Sequence, residues 1–220
     1  MFADFADIDL SMARERFAAA APFPHIVLDR WWSPDLLRAA RAEFPPGDDP
    51  RWTTYPDPKE YGKRAGDARM WGPATTEYFR RAHSEAMCSA MEVIAGTGPL
   101  TPDDAGGGMH MTGEGGRLAM HRDFNRHPTL PLERRLNMLT FLNDTWDRSW
   151  GGVLYLGAQR EVEVLPSFGR TVIFECGPDS WHGHPDPVTG DHWRRSLACY
   201  YYAPLRDTTA PEHSTVWSSA

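Results

Sequence analysis

The 220-residue sequence has no uninterrupted apolar run near the ~20 residues that a membrane-spanning helix requires. Its N-terminal stretch, MFADFADIDLSMARERF, is acidic and lacks the basic-then-apolar order of a secretory signal peptide. Cysteine is scarce: Cys88, Cys176 and Cys199 lie far apart and without CxxC spacing. These absences predict a cytoplasmic protein without a membrane segment, whose three thiols are free and buried.

Net positive charge is also missing, because the formal net charge at pH 7 is −7. This argues against nucleic acid as a partner. The glycines at 106–108 are not followed by Gly-Lys-Ser/Thr, so a phosphate-binding loop is not indicated. The sequence shows no internal repeat and no linker, and its length and 41% apolar content predict one domain over 1–220 with a real core. The oligomeric state cannot be inferred.

The first 98 residues predict helices and one long loop. Helices are expected over 11–21, over 34–44 after the Ser-Pro start at 33–34, and over 73–95 as a single amphipathic helix that ends at Gly96. A strand is expected at 26–28. Residues 45–72 are rich in Pro, Gly and charge, and we interpret them as a loop. Their aromatic residues predict a mobile substrate lid or, as the alternative, ring contacts that hold the loop against the body: Trp52, Tyr55, Tyr61 and Trp71.

The remainder predicts short strands separated by Gly and Pro. Runs at 135–143, 153–156, 162–165, 171–175 and 196–202 have the composition of strands, and glycines break up further short strands at 106–110 and 115–116. The predicted fold class is therefore mainly β with flanking helices, in which residues 99–205 form a cupin-like jelly roll and residues 1–98 supply helical support and the lid.

The central chemical feature is a His-Arg-Asp triplet at 121–123. Residues i and i+2 of a strand point to one face, so His121 and Asp123 can hold one metal ion. The triplet alone is weak evidence, since His-Pro-Asp at 184–186 has the same spacing. His184 is expected mainly in a structural loop, with a supporting catalytic role as the alternative.

Residues downstream of the triplet supply the further groups that a metal site with a 2-oxo acid cosubstrate needs. His182 follows the triplet after several predicted strands, and Arg194 and Ser196 follow His182. Two histidines and a carboxylate form the facial triad of Fe(II) oxygenases and leave positions open. A 2-oxo acid cosubstrate can chelate such a metal, and an arginine with a nearby hydroxyl can bind its distal carboxylate.

The stretch from Gly106 to Ser214 resembles the Fe(II)- and 2-oxoglutarate-dependent oxygenase superfamily, in particular its prolyl-4-hydroxylase-like branch. The matching segments, in order, are GGGMH at 106–110, HRDFNRH at 121–127, RRLNMLTFLN at 134–143, WGGVL at 150–154, WHGHPDP at 181–187 and RRSLACYYY at 194–202. The resemblance implies a double-stranded β-helix that uses Fe(II), 2-oxoglutarate and O2.

The resemblance also assigns roles. It implies metal ligation by His121, Asp123 and His182, and cosubstrate binding by Arg194. The family often carries a tyrosine on the strand after the triplet, where this sequence has Thr140 or Phe141.

Strand alternation refines the cosubstrate site. Arg194 shares a face with Ser196, whereas Arg195 lies on the other face, so Arg194 is the predicted carboxylate ligand. Asn137 is predicted to contact 2-oxoglutarate or substrate from the neighbouring strand, with a buried structural amide as the alternative.

Four further residues are predicted to contact substrate. They are His110, Asn125, His127 and Trp181. The alternative for the two histidines is a hydrogen-bonded structural role, and for the asparagine a position in a turn.

The sequence therefore predicts a 2-oxoglutarate-dependent dioxygenase that hydroxylates an unactivated C–H bond of a small molecule, such as an amino acid or natural-product intermediate, and releases succinate and CO2. Three alternatives remain open: a peptidyl hydroxylase of prolyl type, a desaturase, cyclase or epimerase, and a non-catalytic metal-binding cupin.

Overall fold

A computed structural model describes residues 8–206 and 211–218 of the chain. Two antiparallel sheets face each other as a double-stranded β-helix. The seven-stranded sheet has the order β1-β9-β6-β11-β4-β3-β2, and the five-stranded sheet has the order β12-β5-β10-β7-β8. The strands are β1 His25–Leu28, β2 Thr53–Thr54, β3 Lys63–Gly66, β4 Thr101–Thr112, β5 Leu118–Arg122, β6 Leu132–Phe141, β7 Leu154–Leu156, β8 Val162–Val164, β9 Thr171–Glu175, β10 His182–His184, β11 Arg194–Pro204 and β12 Val216–Trp217. The expectation of a mainly β, jelly-roll fold with flanking helices is confirmed.

Four helices precede the main strands, namely α1 Leu10–Ala19, α2 Pro34–Ala42, α3 Pro73–Ala82 and α4 Glu85–Ala95. Side chains cap α1 and α2, since Asp9 accepts a hydrogen bond from the amide of Met12 and Ser33 accepts one from the amide of Leu36. The helices end close to where the sequence predicts.

The prediction of a single helix over 73–95 is wrong, because the helix is interrupted at residues 83–84. The Ser84 hydroxyl donates to the carbonyl of Arg81 and accepts from the amide of Met87, so it ends α3 and caps α4. Apolar periodicity continues across the break because both helices pack on the same core, which is why the pattern concealed the turn.

One face of the seven-stranded sheet packs against the helices, and the other face lines the candidate site. Alternate residues of β11, such as Leu197, Cys199 and Tyr201, face outward and pack in the main core with the helices. The Tyr201 hydroxyl donates to the carbonyl of Ala82 over 2.8 Å. The inward face, which includes Arg194, is turned toward the five-stranded sheet, and it carries the candidate site.

The segment 45–72 is not a featureless loop. It contains the β2–β3 hairpin and short 3-10 turns at Pro58–Glu60 and Ala68–Met70, and β3 pairs with β4. Gly108 of β4 permits this close approach: its φ is +105°, and a β-carbon there would collide with the carbonyl oxygen of Gly66. Residues 63–66 of the predicted lid segment therefore belong to the seven-stranded sheet, between β4 and the edge strand β2, and whether the segment moves as a lid stays a prediction.

Two of the four aromatic residues of this segment hold it against the body. Trp52 is buried in the main core, and Trp71 stacks on Phe79 with 3.9 Å between ring centres. Tyr55 contacts the Lys63 ammonium, 4.6 Å from its ring centre, whereas Tyr61 is 57% exposed. The alternative of ring contacts that hold the segment is thus the one observed for Trp52 and Trp71.

The strands predicted around the central glycines merge into one. Residues 101–112 form the continuous strand β4, and its register against β11 shifts between Ala198 and Tyr200. The glycines that suggested several short strands are accommodated by a local bulge, so the strand continues through them. At the ends, residues 1–7 and 219–220 of the predicted single domain lie outside the described residues, as do residues 207–210. Among the described residues, no helix is both long and apolar enough to cross a membrane.

Candidate active site

His121, Asp123 and His182 converge inside the β-helix. His121 lies on β5, and its partner across the strand pair in β10 is His182. The Nε2 atom of His121 is 3.6 Å from Asp123 Oδ1, and that of His182 is 3.4 Å from Asp123 Oδ2. One ligand atom from each residue lies within 4.8 Å of the others. Residues separated by about 60 positions are thus brought together by strand pairing.

Backbone carbonyls orient both imidazoles. Nδ1 of His121 is 2.8 Å from the carbonyl oxygen of Ala119, and Nδ1 of His182 is 2.9 Å from that of Ser180. Because a carbonyl only accepts, each Nδ1 carries a proton, and in the neutral tautomer that this selects, the lone pair that a metal ion needs is on Nε2. Burial, with repulsion from His121, lowers the pKa of His182 to about 4. His182 is therefore neutral and ready to coordinate at neutral pH.

The Asp123 carboxylate is held in its charged form. Burial disfavours the charge, but Arg134 at 3.3 Å and the two imidazoles hold the pKa of Asp123 well below its usual range. The amide of Asn137 also donates to Asp123 Oδ2 over 2.7 Å. Two neutral imidazoles and one carboxylate are the donor set that suits Fe(II), so these residues fit the ion.

Arg194 and Ser196 line the same cavity from β11. Arg194 is 5% exposed, its Nε donates to the carbonyl of Gly152 over 2.7 Å, and its guanidinium carbon lies 4.9 Å from the centre of the Phe141 ring. No carboxylate of the described residues forms an ion pair with it, and burial lowers its pKa to about 9. A buried cation of this kind fits a carboxylate ligand such as that of 2-oxoglutarate.

Arg195 points the other way, as strand alternation predicts. It is half-buried, and it lies outside the cavity that holds the triad, among Arg41, Asn143 and Asp144. Phe141 takes the inward position of its strand, whereas the Thr140 hydroxyl bonds outward to Tyr78 over 2.8 Å. The inward position therefore carries no hydroxyl.

His110 and Asn137 also line the cavity, as the sequence predicts, but the two residues have different neighbours there. His110 lies opposite Ser196 in the strand register. Asn137 uses its amide nitrogen on Asp123, so the donor predicted for 2-oxoglutarate has another partner.

Three predicted substrate residues lie away from this cavity. His127 is buried, and its Nδ1 accepts from the amides of Thr129 and Leu130, which is the structural alternative. Trp181 packs against the Arg122 guanidinium at 4.9 Å and lines neither cavity beside Asp123. Neither residue lines a cavity beside Asp123, and substrate contact by His127 or Trp181 stays a prediction.

Asn125 fastens the C-terminal segment. Its Nδ2 donates to the carbonyl of Pro211 over 3.0 Å, and its Oδ1 accepts from the amide of His213 over 2.9 Å. The asparagine nevertheless lines a second cavity of about 370 Å³ that also borders Asp123. Its residues are mainly polar and include Arg122, Arg134 and Arg135.

Sequence reasoning missed three residues of the cavity or its wall, and it gave a fourth, His184, a supporting role only as the alternative. Tyr200 continues the inward row of β11, so strand alternation could have found it. His184 lines the cavity with a buried Nδ1 that has no hydrogen-bond partner among the described residues, although the sequence favoured a structural loop. Lys63 enters from β3, and Arg134 lies behind Asp123. No local sequence pattern predicts Lys63 or Arg134 at this site. Lys63 is placed there by the pairing of β3 with β4, and Arg134 by a register shift between β6 and β11.

Three solved structures with a similar fold are low in sequence identity. A Pseudomonas putida prolyl-4-hydroxylase matches with a TM-score of 0.61 and 19% identity, over 87% of this chain and 99% of its own. A Trichoplax adhaerens prolyl hydroxylase, in complex with a hypoxia inducible factor peptide fragment, gives 0.62 and 14%, over 88% and 90%. HygX from Streptomyces hygroscopicus, with nickel, 2-oxoglutarate and hygromycin B bound, gives 0.57 and 14%, over 90% of each chain. At these identities the likeness concerns the fold.

The family follows from a separate match. Residues 107–202 match the 2OG-Fe(II) oxygenase superfamily, and this span contains the triad, Arg194 and Ser196. Members of this superfamily are 2-oxoglutarate-dependent dioxygenases that require Fe(II), 2-oxoglutarate and O2. The sequence match over residues 107–202, the fold and the His-Asp-His cluster thus agree on the 2OG-Fe(II) oxygenase superfamily.

Proposed function

We propose that this oxygenase hydroxylates an unactivated C–H bond of a small molecule. In this proposal His121, Asp123 and His182 ligate iron, and Arg194 with Ser196 binds the distal carboxylate of 2-oxoglutarate. Bound Fe(II), with 2-oxoglutarate and O2 as cosubstrates, supplies the oxidising chemistry and yields succinate and CO2. The main supporting observation is that all five side chains line one cavity.

The chain's own residues prepare this site in two ways. The carbonyls of Ala119 and Ser180 accept from the two Nδ1 atoms and so turn each Nε2 atom toward the metal site. The buried Arg194 offers two terminal nitrogens without a hydrogen bond to the described residues. A carboxylate bound at Arg194 would balance the charge of a guanidinium that is already buried in the folded protein.

The second cavity supports a small substrate. Its volume of about 370 Å³ lies within the usual range for small-molecule sites, and it borders Asp123 on one side. The C-terminal segment limits its extent, because Pro211 and His213 line it and β12 pairs with β5. HygX, which has the same fold, contains hygromycin B in its structure. A peptide requires a longer groove, which makes peptidyl hydroxylation the second-ranked outcome.

The proposal also treats the chain as one oxygenase domain. Residues 99–205 form its jelly-roll core, and residues 1–98 support it. Lys63, which reaches the cavity from the β2–β3 hairpin, favours this view because the N-terminal part then completes the site.

A substrate screen tests the proposed reaction. Iron-loaded enzyme is incubated with 2-oxoglutarate and either small metabolites or peptides, and succinate release is measured together with product mass. We expect a small molecule to stimulate succinate release and to gain one oxygen atom. Stimulation by peptides alone would contradict the small-molecule assignment, whereas a product that loses two hydrogens would contradict hydroxylation.

A further inference from the structure

The two oxygens of Asp123 have different surroundings. Oδ2 accepts from Asn137 Nδ2 over 2.7 Å and lies 3.3 Å from Arg134 Nη2. Each oxygen also has one imidazole nitrogen nearby: His121 Nε2 lies 3.6 Å from Oδ1 and His182 Nε2 lies 3.4 Å from Oδ2. The protein's own donors are thus concentrated on Oδ2, and Oδ1 is the oxygen left for a cation.

The orientation of the Asn137 amide is set by chemistry. Arg134 Nε lies 2.8 Å from one amide atom, and an arginine can only donate, so that atom must be Oδ1. The Cys176 thiol also approaches Oδ1, at 3.4 Å. The other amide atom, which faces Asp123, is therefore the nitrogen.

Arg134 is itself fixed in place. It is 3% exposed, and its guanidinium carbon lies 3.4 Å from the centre of the Tyr200 ring and 4.7 Å from that of Phe124. Aromatic faces on this planar group restrict it to one orientation. The donor pair that meets Asp123 is consequently rigid before any metal binds.

We propose that Asn137 and Arg134 are positioning residues that restrict Asp123 to metal ligation through one oxygen, Oδ1. This inference rests on the proposed function, because it takes Asp123 as a metal ligand. It assigns Asn137 to the ligand carboxylate and not to the cosubstrate.

The restriction has a functional reason. A carboxylate can bind a metal through one oxygen or through both, and the second mode occupies an additional coordination position. The facial triad serves oxygenases because it leaves positions open for the reactants. The hydrogen bond from Asn137 and the ion pair with Arg134 both engage Oδ2 and keep it off the metal, so the open positions remain available to the cosubstrates.

Two variants of Asn137 test the inference, with Co(II) as a spectroscopic probe of the metal site. Asn137→Leu has nearly the same shape but no donor, and Asn137→Ala serves if the leucine does not fold. Arg134→Lys keeps the charge but loses the planar fork. Thr140→Val is the matched control, because it removes buried hydrogen bonds from the same strand on the opposite face, to Tyr78 and Thr171.

We expect both Asn137 variants to bind Co(II) on the order of 10–100-fold more weakly than the wild type. Their Co(II) absorption spectrum should change in position and intensity, since the carboxylate then rotates and the coordination changes. Affinity of the Co(II)-loaded protein for 2-oxoglutarate should fall as well. Arg134→Lys should show a smaller change in the same direction, and Thr140→Val should show the wild-type spectrum and affinities.

Two results separate the possible failures. If folded Asn137→Leu or Asn137→Ala keeps the wild-type Co(II) affinity and spectrum, the positioning role is wrong even though the metal site stands. If the wild type itself does not bind one Co(II) per chain, the proposed set of metal ligands is wrong, and the positioning role falls with it. A crystal structure of the Co(II)-loaded wild type with both Asp123 oxygens on the metal would overturn the inference directly.

Discussion

Arg194 and Phe141 lie in contact on the inner side of the β-helix, with the guanidinium carbon 4.9 Å from the ring centre. The electron-rich face of the ring favours a cation at this position. Together with the hydrogen bond to Gly152, it orients a guanidinium that has no carboxylate partner among the described residues. The adjacent Arg195 has none of these contacts, so the two arginines make a matched pair for experiment.

Arg194→Ala is expected to raise the KM for 2-oxoglutarate steeply. Loss of a buried charge-assisted pair costs on the order of 2–5 kcal/mol, which corresponds to roughly 30-fold or more in affinity. Iron binding should be retained, because Arg194 contacts none of the three ligand residues. Arg195→Ala should leave the KM nearly unchanged. The reverse pattern in steady-state kinetics would mean that the cosubstrate site is assigned to the wrong arginine.

Asp123→Ala should remove most metal binding and turnover. The change deletes one ligand and the charge that balances the metal, and it leaves the buried Arg134 without its carboxylate. Bound iron per chain and succinate release measure the two effects. Asp144→Ala is a suitable control, since that carboxylate pairs with Arg41 and is 64% exposed. Wild-type turnover in Asp123→Ala would refute the ligand assignment.

Chloride should not divert the reaction to halogenation. In the proposed ligand set, the Asp123 carboxylate would take the position that chloride needs on the metal. With a substrate in hand, the wild-type enzyme in excess chloride should give the oxygenated product by mass spectrometry. A chlorinated product would show that Asp123 does not stay on the metal.

Hydrogen exchange should distinguish parts of the segment 45–72. The amides of Lys63–Gly66 lie in a strand paired with β4, so they should exchange slowly without substrate. The exposed turn around Tyr61 should exchange much faster. Uniformly fast exchange over 63–66 in the unliganded enzyme would restore the mobile lid that the sequence suggests.

Glu43→Ala should reduce stability without loss of turnover. The two carboxylate oxygens of Glu43 accept from the amides of Ala74 and Thr75, at 2.7 and 2.8 Å, and so cap the start of α3. Loss of such a cap costs about 1 kcal/mol, which urea unfolding can measure. Glu85→Ala, an exposed residue in the first turn of α4, is the control. An unchanged unfolding midpoint in Glu43→Ala would mean that the cap does not stabilise the fold.

The sequence by itself determined the features that depend on local spacing. His121 lies in β5 and Asp123 follows directly after the end of that strand, so the alternation of the strand still turns both side chains toward one cavity; the same alternation separates Arg194 from Arg195 in β11. The order of these residues along the chain then indicated the superfamily, which the family match confirmed. Their individual roles stay predictions.

Only the tertiary structure decided the features that depend on distant partners. Asn137 meets Asp123 because two strands cross the same cavity, and Lys63 reaches that cavity because β3 docks on β4. Glu43 caps a helix that begins 30 residues later. No periodicity in the chain encodes such pairs, since each depends on strand register and packing between elements that are remote in sequence.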